Sequence, residues 1–495
     1  MSRLHTFRQW LDELEKIGDI QQIDAEVDWN LEMGAIIRRS LDLRAPAPLF
    51  ANVKGIEQGF RALGAPGGLS AVRGRTYARI ALALGLPSDA PGAQLVRTLA
   101  DARDRPPIKP VVVAAGECQQ NVMLGDSVDL LRFPTPLIHD GDGGRFIQTY
   151  GVNIVRSVDG KWTNWSINRM MLVDRNRLAC LIPPNQHLGI IHEQWRQQGE
   201  ATPIAVAFGV PPGIAYVGGM PLPEGVSEAD YVGGLFGAPV ELVACKTVPL
   251  EVPASAEIVI EGHVSHTDTE MEGPMGEFAG YISVEPGTPK PVLYVSAVTY
   301  RNEPILPISA AGKPVEENHT GWGLPHAGEM LHELRAHGLP VTNCWMVLEA
   351  ACCWFAVSVT QDWHETTGLS GRELGQRVGD VIFATKGGFG IPKVLLFEDD
   401  VDLTDVREVV WAFATRAHPG HGEVYFDGKA ENNLLVFVDD DEKAAFRGTK
   451  VVHLCLLNEH YDAATRPRDV SFLEDWPSTV QAQVLARWRE YGYAN

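Results

Sequence analysis

The sequence predicts an α/β (α+β) protein of several domains, on three observations. Its 495 residues are enough for two or three domains and a sizeable core. From about 110 to 310 short apolar β-type runs alternate with glycine and proline, which suits a barrel or a sandwich. After about 320, strand-like runs alternate with helical spacing, which suits an α/β layer.

Phe7, Trp10, Leu11, Leu14 and Ile17 recur at helical spacing, and Gly18 is placed to end that helix. The run RDRPPIKP at 103–110 is a connector and sets a domain boundary. The expected strands are PVVVAA (110–115), GVNIVRSV (151–158), AVAFGV (205–210), AEIVIEGHV (256–264) and PVLYVSAVTY (291–300). The most apolar stretch, 344–360, contains Glu349 and is too short to span a bilayer comfortably, so it is expected as a buried element. VLLF at 394–397 and LLVFV at 434–438 are expected as buried strands. Thr404 is expected to cap a helix that turns Val406, Val409, Val410 and Phe413 inward. Ser478 is expected to cap a last helix carrying Val480, Val484, Trp488 and Tyr491, stopped near Gly492, which docks on a partner subunit or a neighbouring domain. The expected segments are 1–109, 110–320, 321–470 and 471–495.

A net charge of −21 argues against nucleic acid and against an anionic membrane surface. A small acidic substrate is still admissible, because a local arginine overrides the global field. The seven cysteines are odd in number and contain no C-x-x-C, which excludes a disulfide framework or a zinc knuckle. Cys352 and Cys353 read as two small core residues. The N-terminal residues lack the apolar region of a signal peptide, so a cytoplasmic protein is expected.

The P-loop, G-x-S-x-G and H-E-x-x-H motifs are missing, and the glycine cluster KGGFGIPK (386–393) is weak evidence for a phosphate site on its own. More unusual is EMEGPMGEFAGY (270–281), where Glu272 and Glu277 bracket Gly-Pro-Met-Gly. Pro274 pushes Gly273 towards extended geometry and Gly276 permits positive φ. On a flat strand the two carboxylates point to opposite faces, and a kinked segment brings them to one side. Read alone, the stretch is a surface turn. In WTNWSINRMM (162–171), a strand puts Asn164, Ser166 and Asn168 on one face and Arg169 on the other unless the chain bends. PPNQHLG (183–189) offers Gln186 and His187, and Glu228 stands where a helix-start carboxylate would.

Seven ordered motifs together resemble the UbiD-type decarboxylase family over nearly the whole chain. They are FPTPLIHDGDGGRFIQTYG (133–151), TNWSINR (163–169), NQHLG (185–189), EGVSEADYVGGLFG (224–237), EGPMGEFAGY (272–281), EENHTGWG (316–323) and DVDLTDVREVVWAFATR (400–416). Within the family the chain is most similar to bacterial pyrrole-2-carboxylate decarboxylases. The resemblance implies an N-terminal α/β domain, a central split β-barrel of flavin-reductase type, and a C-terminal α/β dimerisation domain with a terminal helix, hence a homodimer. It implies prenylated FMN, made by a separate flavin prenyltransferase and held with Mn²⁺ (or Mg²⁺) and K⁺. The implied manganese ligands are Asn164, His187 and Glu228, an oxygen-rich set with one imidazole that suits a hard divalent ion. Ser166, Ile167, Arg169, Gln186, Met220 and Lys386 fall at cofactor-binding positions, with Met220 and Arg416 near the K⁺ site. Arg169, Glu272 and Glu277 match the catalytic network, and Asn318, His319, Trp322, Asn432 and Leu434 match the substrate pocket.

The implied reaction is reversible non-oxidative decarboxylation of a heteroaromatic acid, pyrrole-2-carboxylate to pyrrole and CO₂, with the cofactor as covalent electron sink. Asn318 is expected to hydrogen-bond a ring N–H; read alone it is a turn amide bonding its own backbone. The alternatives are a decarboxylase of cinnamic-type or phenolic acids in the same family, an FMN-binding oxidoreductase, and a non-catalytic protein that keeps the scaffold.

Overall fold

The computed structural model describes residues 5–457, 461, 464–473 and 475–494. Residues 1–4 and 495, at the two ends of the expected segments, lie outside the described residues. The first helix, Phe7–Lys16, is capped by Thr6, whose side chain accepts from the Gln9 amide. It buries Phe7, Trp10, Leu11 and Leu14 and gives way at Gly18, whose φ of +77° suits glycine. The strands Ile20–Ile23, Ala47–Phe50, Arg61–Gly64 and Ile305–Ile308 follow one another in one sheet. The last of these comes from beyond the 103–110 connector and lies parallel to Arg61–Gly64, so the N-terminal layer is completed by the central part of the chain.

The central sheet has nine strands, ordered Phe146–Gln148, Met170–Leu172, Arg177–Cys180, Thr288–Tyr300, Ile258–Glu272, Thr202–Phe208, Val152–Arg156 and Thr163–Ser166, with Asn121–Leu124 also on Thr288–Tyr300. Its spine is the long hairpin Ile258–Glu272 with Thr288–Tyr300, whose register shifts after Glu261 and after Val264. Such bulges bend a strand and raise its twist, and the sheet curls into a half-barrel. Phe133, Phe146, Met170, Leu178, Ile204, Ile260 and Leu293 pack together on it. Four of the five expected strands lie in this sheet. The fifth, Val111–Val113, pairs instead with Glu241–Ala244 in a small separate sheet.

The helix Glu317–Ala336 runs through the expected boundary at 320. A Cβ on its Gly328 would lie 2.7 Å from the Leu99 Cβ, so glycine is what lets it lie against the helix Gly92–Ala102. The last sheet is ordered Val341–Met346, Trp354–Val359, Lys393–Glu398, Arg447–Cys455 and Glu423–Ala430. The apolar stretch 344–360 is thus two antiparallel strands joined by a turn, with Cys352 buried in it.

At four points the structure departs from the expected elements. The helix Val406–Arg416 is capped by Asp405 rather than Thr404, because the Thr404 hydroxyl is spent on Asp402. Val410 faces outward at 47% exposure, while Val409 is buried. Residues 434–438 are a turn rather than a strand: Leu435 and Val438 face in, and Leu434, Val436 and Phe437 face out. The last helix, Ser478–Ala486, begins after Pro477 with no side-chain cap and ends before Trp488 and Tyr491. No helix among the described residues is long and apolar enough to cross a membrane.

Candidate active site

The strand Thr163–Ser166 stops at Ser166, and the chain turns before Met170–Leu172 begins. Asn153 Nδ2 holds that turn by donating to the Asn168 carbonyl at 3.0 Å. Arg169 therefore leaves the strand alternation and reaches the end of the Ile258–Glu272 strand. Its Nε donates to Glu272 Oε1 at 2.7 Å, and its Nη1 donates to Glu277 Oε1. Glu272 is buried as the last residue of its strand, and Glu277 lies in the following turn, where its N–H donates to the Tyr281 carbonyl at 2.9 Å. The two carboxylates thus meet one guanidinium, and the surface-turn reading of 270–281 fails. Gly273 is at φ +83° instead of extended, and it takes the positive φ that was expected at Gly276. Burial pulls the Arg169 guanidinium down, but the charges and hydrogen bonds of Glu277 and Glu272 outweigh it and raise it above the ordinary arginine range.

A second cluster lies at the start of two helices. Glu228 opens the helix Glu228–Phe236 and His187 opens His187–Gln198. Glu228 is more than a helix-start charge: Oε1 accepts from Asn164 Nδ2 at 2.9 Å and Oε2 from the Trp165 amide at 2.8 Å. Lys386 Nζ lies 3.0 Å from His187 Nδ1, and the Trp162 ring stands edge-on to the imidazole. Burial pushes the Glu228 carboxyl up to about 7 and the Lys386 ammonium down to about 8. Burial first, then the Lys386 charge, pushes His187 down to about 3, which keeps it neutral. Asn164 Oδ1 and Ser166 Oγ are buried with no hydrogen-bond partner. A buried oxygen of that kind needs a partner. Two such oxygens, a neutral imidazole, a buried carboxylate and a buried lysine fit a metal-bound phosphate. Among the described residues no three His, Cys, Asp or Glu gather as a metal site, and the set here counts only two of those types.

The other expected residues fall in several places. Gln186 immediately precedes the His187 helix, and Ile167 lies in the Arg169 turn. Met220 is buried after the helix Pro212–Gly218. Arg416 is committed to Asp400, with both Nη atoms within 3.0 Å of its carboxylate, and not to Glu228. Asn318 bonds its neighbour Glu316, its Nδ2 at 3.1–3.2 Å from both carboxylate oxygens. His319 is fully buried with both ring nitrogens engaged, one by the Glu316 amide at 3.0 Å and one by the Phe278 carbonyl at 2.8 Å. Trp322 packs near Phe278 and against Gly390, where a Cβ would lie 2.1 Å from its ring. Asn432 Oδ1 accepts from the Leu434 amide at 3.0 Å, so this pair closes its own turn.

Three residues beside the site carry no role in the sequence reading. His139, Asp142 and Gly143 line the 273–280 turn, with Gly143 N donating to the Pro274 carbonyl at 2.7 Å. Their signal was available in HDGDGG (139–144), where paired glycines follow two acids and a histidine.

The chain matches the 3-octaprenyl-4-hydroxybenzoate carboxy-lyase family in three domains: the N-terminal domain at 11–99, the Rift-related domain at 109–314 and the C-terminal domain at 319–455. The chain belongs to the UbiD family. As a UbiD-family carboxy-lyase it is 44% identical to pyrrole-2-carboxylic acid decarboxylase of Pseudomonas aeruginosa, over 99% of this chain and 98% of that one. It is 36% identical to ferulic acid decarboxylase 1 of Saccharomyces cerevisiae, over 98% of each. The UbiD-class enzyme HmfF from Pelotomaculum thermopropionicum, solved as an evolved dimeric form in complex with prFMN, superposes with a TM-score of 0.76 at 26% identity. That match covers 95% of this chain and 98% of that one.

Proposed function

We propose that this UbiD-family carboxy-lyase interconverts pyrrole-2-carboxylate with pyrrole and CO₂, using prenylated FMN held with Mn²⁺ (or Mg²⁺) and K⁺. The observation that carries the reading is Arg169 gripped between Glu272 and Glu277. The 44% identity to a pyrrole-2-carboxylic acid decarboxylase supports the substrate, and the prFMN complex of HmfF supports the cofactor. The flavin prenyltransferase is the supplier, the cytoplasm the compartment and a homodimer the assembly.

Bound at the site, the cofactor supplies the covalent electron sink that no side chain offers to electrons left on an sp² carbon. Asn164, His187 and Glu228 would hold its metal, Ser166, Ile167, Gln186 and Met220 would line it, and Lys386 would meet its phosphate. Arg169 binds and orients the substrate carboxylate. Glu272 fixes the Arg169 Nε, and with it the guanidinium plane. Glu277, through the carboxyl oxygen that Arg169 does not hold, delivers a proton to the ring carbon once CO₂ has left, and takes it back in the carboxylation direction. Asn318 faces the ring N–H: with Nδ2 spent on Glu316, Oδ1 is the acceptor that remains. A substrate lacking that N–H would leave the acceptor unpaired. His319, Trp322, Asn432 and Leu434 complete the pocket, His319 by packing alone because its nitrogens are engaged.

The test is CO₂ release from pyrrole-2-carboxylate by protein co-expressed with a flavin prenyltransferase, against protein expressed without it, both with Mn²⁺ and K⁺. Activity in the co-expressed sample alone is expected. A second reading, a cinnamic-type or phenolic acid decarboxylase, is favoured by the 36% identity to ferulic acid decarboxylase 1. Turnover of cinnamate without turnover of pyrrole-2-carboxylate would select it. NAD(P)H consumption that persists in Glu277→Gln would instead select a flavin oxidoreductase.

A further inference from the structure

We propose that His139 with Asp142 on one side, and His319 on the other, are positioning residues that hold the Glu277 peptide against Arg169. The inference rests on the proposed role of Glu277 as proton donor. It is drawn from the two residues that flank that glutamate. On the N-terminal side, Gly276 N donates to Asp142 Oδ1 at 2.9 Å. On the C-terminal side, the Phe278 carbonyl accepts from His319 Nε2 at 2.8 Å. Glu277 itself is left with a tight turn, its carbonyl accepting from Gly280 N at 2.9 Å. Both anchors come from outside the turn, one from the 138–144 loop and one from the helix Glu317–Ala336.

The partners fix the protonation of both rings. His319 Nδ1 faces the Glu316 N–H, which can only donate, so Nδ1 is bare and Nε2 carries the hydrogen. His319 is therefore a neutral strut, and its 3.2 Å approach to the Glu316 carboxylate is not an ion pair. His139 is the opposite case. Its Nε2 faces the Ala311 carbonyl at 2.8 Å and its Nδ1 lies 3.1 Å from both oxygens of Asp142. Two acceptors call for two donors, which is the imidazolium. The His139 ring also packs where a Cβ on Gly276 would lie 2.6 Å from it, so only glycine lets the turn settle on that ring.

Two charged groups bear on His139. Asp142 faces it from its own loop. Arg38, from the helix Glu32–Asp42, opposes the positive ring, and is itself paired with Asp42 at 2.8 Å. Burial lowers the His139 imidazolium, and the hydrogen bond and charge of Asp142 more than restore it, so it ends above its ordinary 6.5. A raised histidine keeps its contribution in full below 6.5 and loses it as pH rises through the raised value. The clamp on Gly276 loosens on the alkaline side.

The experiment uses the cofactor-loaded enzyme and two readouts: steady-state kinetics across pH, and hydrogen exchange at the Gly276 amide. His139→Gln is expected to lower kcat on the order of tenfold with KM nearly unchanged, the scale of a misplaced reacting group. It also removes the alkaline fall of kcat and speeds Gly276 exchange. Asp142→Asn still offers an oxygen to Gly276 but no charge to His139, so the alkaline fall moves to lower pH; this variant decides the matter if His139→Gln does not fold. His319→Gln keeps a donor for the Phe278 carbonyl and is expected to lose less of kcat than His319→Phe, which offers none. An unchanged pH profile and unchanged Gly276 exchange in both loop variants would overturn the proposal. So would a rise in KM with kcat intact. If the wild type releases no CO₂ from any acid offered, the role of Glu277 fails instead, and Gly276 exchange still reads the clamp.

Discussion

At Arg169 the useful question is which of its two carboxylate partners does chemistry. Glu272 takes Nε and is buried, whereas Glu277 is partly open and takes the outer nitrogen. Glu277→Gln keeps the shape and removes the proposed proton donor. Decarboxylation is expected to fall by about 10²-fold or more, with the flavin spectrum and bound metal unchanged. His187→Ala is expected to lose Mn²⁺ and cofactor together, read by metal analysis and mass spectrometry; full cofactor occupancy would move the metal elsewhere. A third prediction concerns Glu316 and Glu317, both buried beside each other with Ser309 Oγ donating to Glu317 at 2.9 Å. Burial, then the charge of Glu317, raises Glu316, and burial raises Glu317. A carboxyl raised by folding stabilises the fold fully below its ordinary 4.5 and loses that contribution as pH climbs through the raised value. Glu317→Gln removes one buried charge. Its gain over wild type should therefore grow between pH 5 and pH 8, read by urea unfolding at the two pH values.

Elements place these residues, and glycines set how closely the elements meet. A Cβ on Gly143 would lie 2.0 Å from the Gly273 carbonyl oxygen, which lies on the turn between Glu272 and Glu277. Gly143→Ala should push that turn away and cut kcat on the order of 10²-fold while metal binding persists. Wild-type turnover in that variant would show that the turn tolerates the shift. Elements were legible in the sequence where the apolar pattern matched the period of the element. The first helix and the long hairpin strands are of that kind. Residues 434–438 are apolar but follow Asn432, whose side chain closes a turn, so the run never extends. The strand Arg447–Cys455 is not legible in the sequence because Lys450 occupies an inward position. That lysine is satisfied by the carbonyls of Gly388, Phe389 and Ile391 at 2.7–3.1 Å, partners more than fifty residues away in sequence. Through them the last sheet holds the loop that follows Lys386.

Across the whole molecule, the first sheet and the half-barrel are joined by Ile305–Ile308, and the last sheet by the helix Glu317–Ala336. The terminal segment is different in kind. Leu473, Trp476, Leu485, Trp488 and Tyr491 are each more than a third exposed, an apolar surface of the sort that marks an interaction site. Removing residues 471–495 should convert the proposed dimer to monomer in sedimentation; an unchanged dimer would put the contact elsewhere. The sequence by itself determined the family and the mixed α/β class, because ordered motifs and local periodicity are properties of the chain. Only the tertiary structure decided that Glu272 and Glu277 converge on Arg169 and that both ring nitrogens of the buried His319 are engaged within the protein. It also decided that Asn164 Oδ1 is left without a partner inside the protein. The physical reason is that such roles depend on which hydrogen-bond partners a side chain meets, and those partners lie up to 108 residues away in the chain.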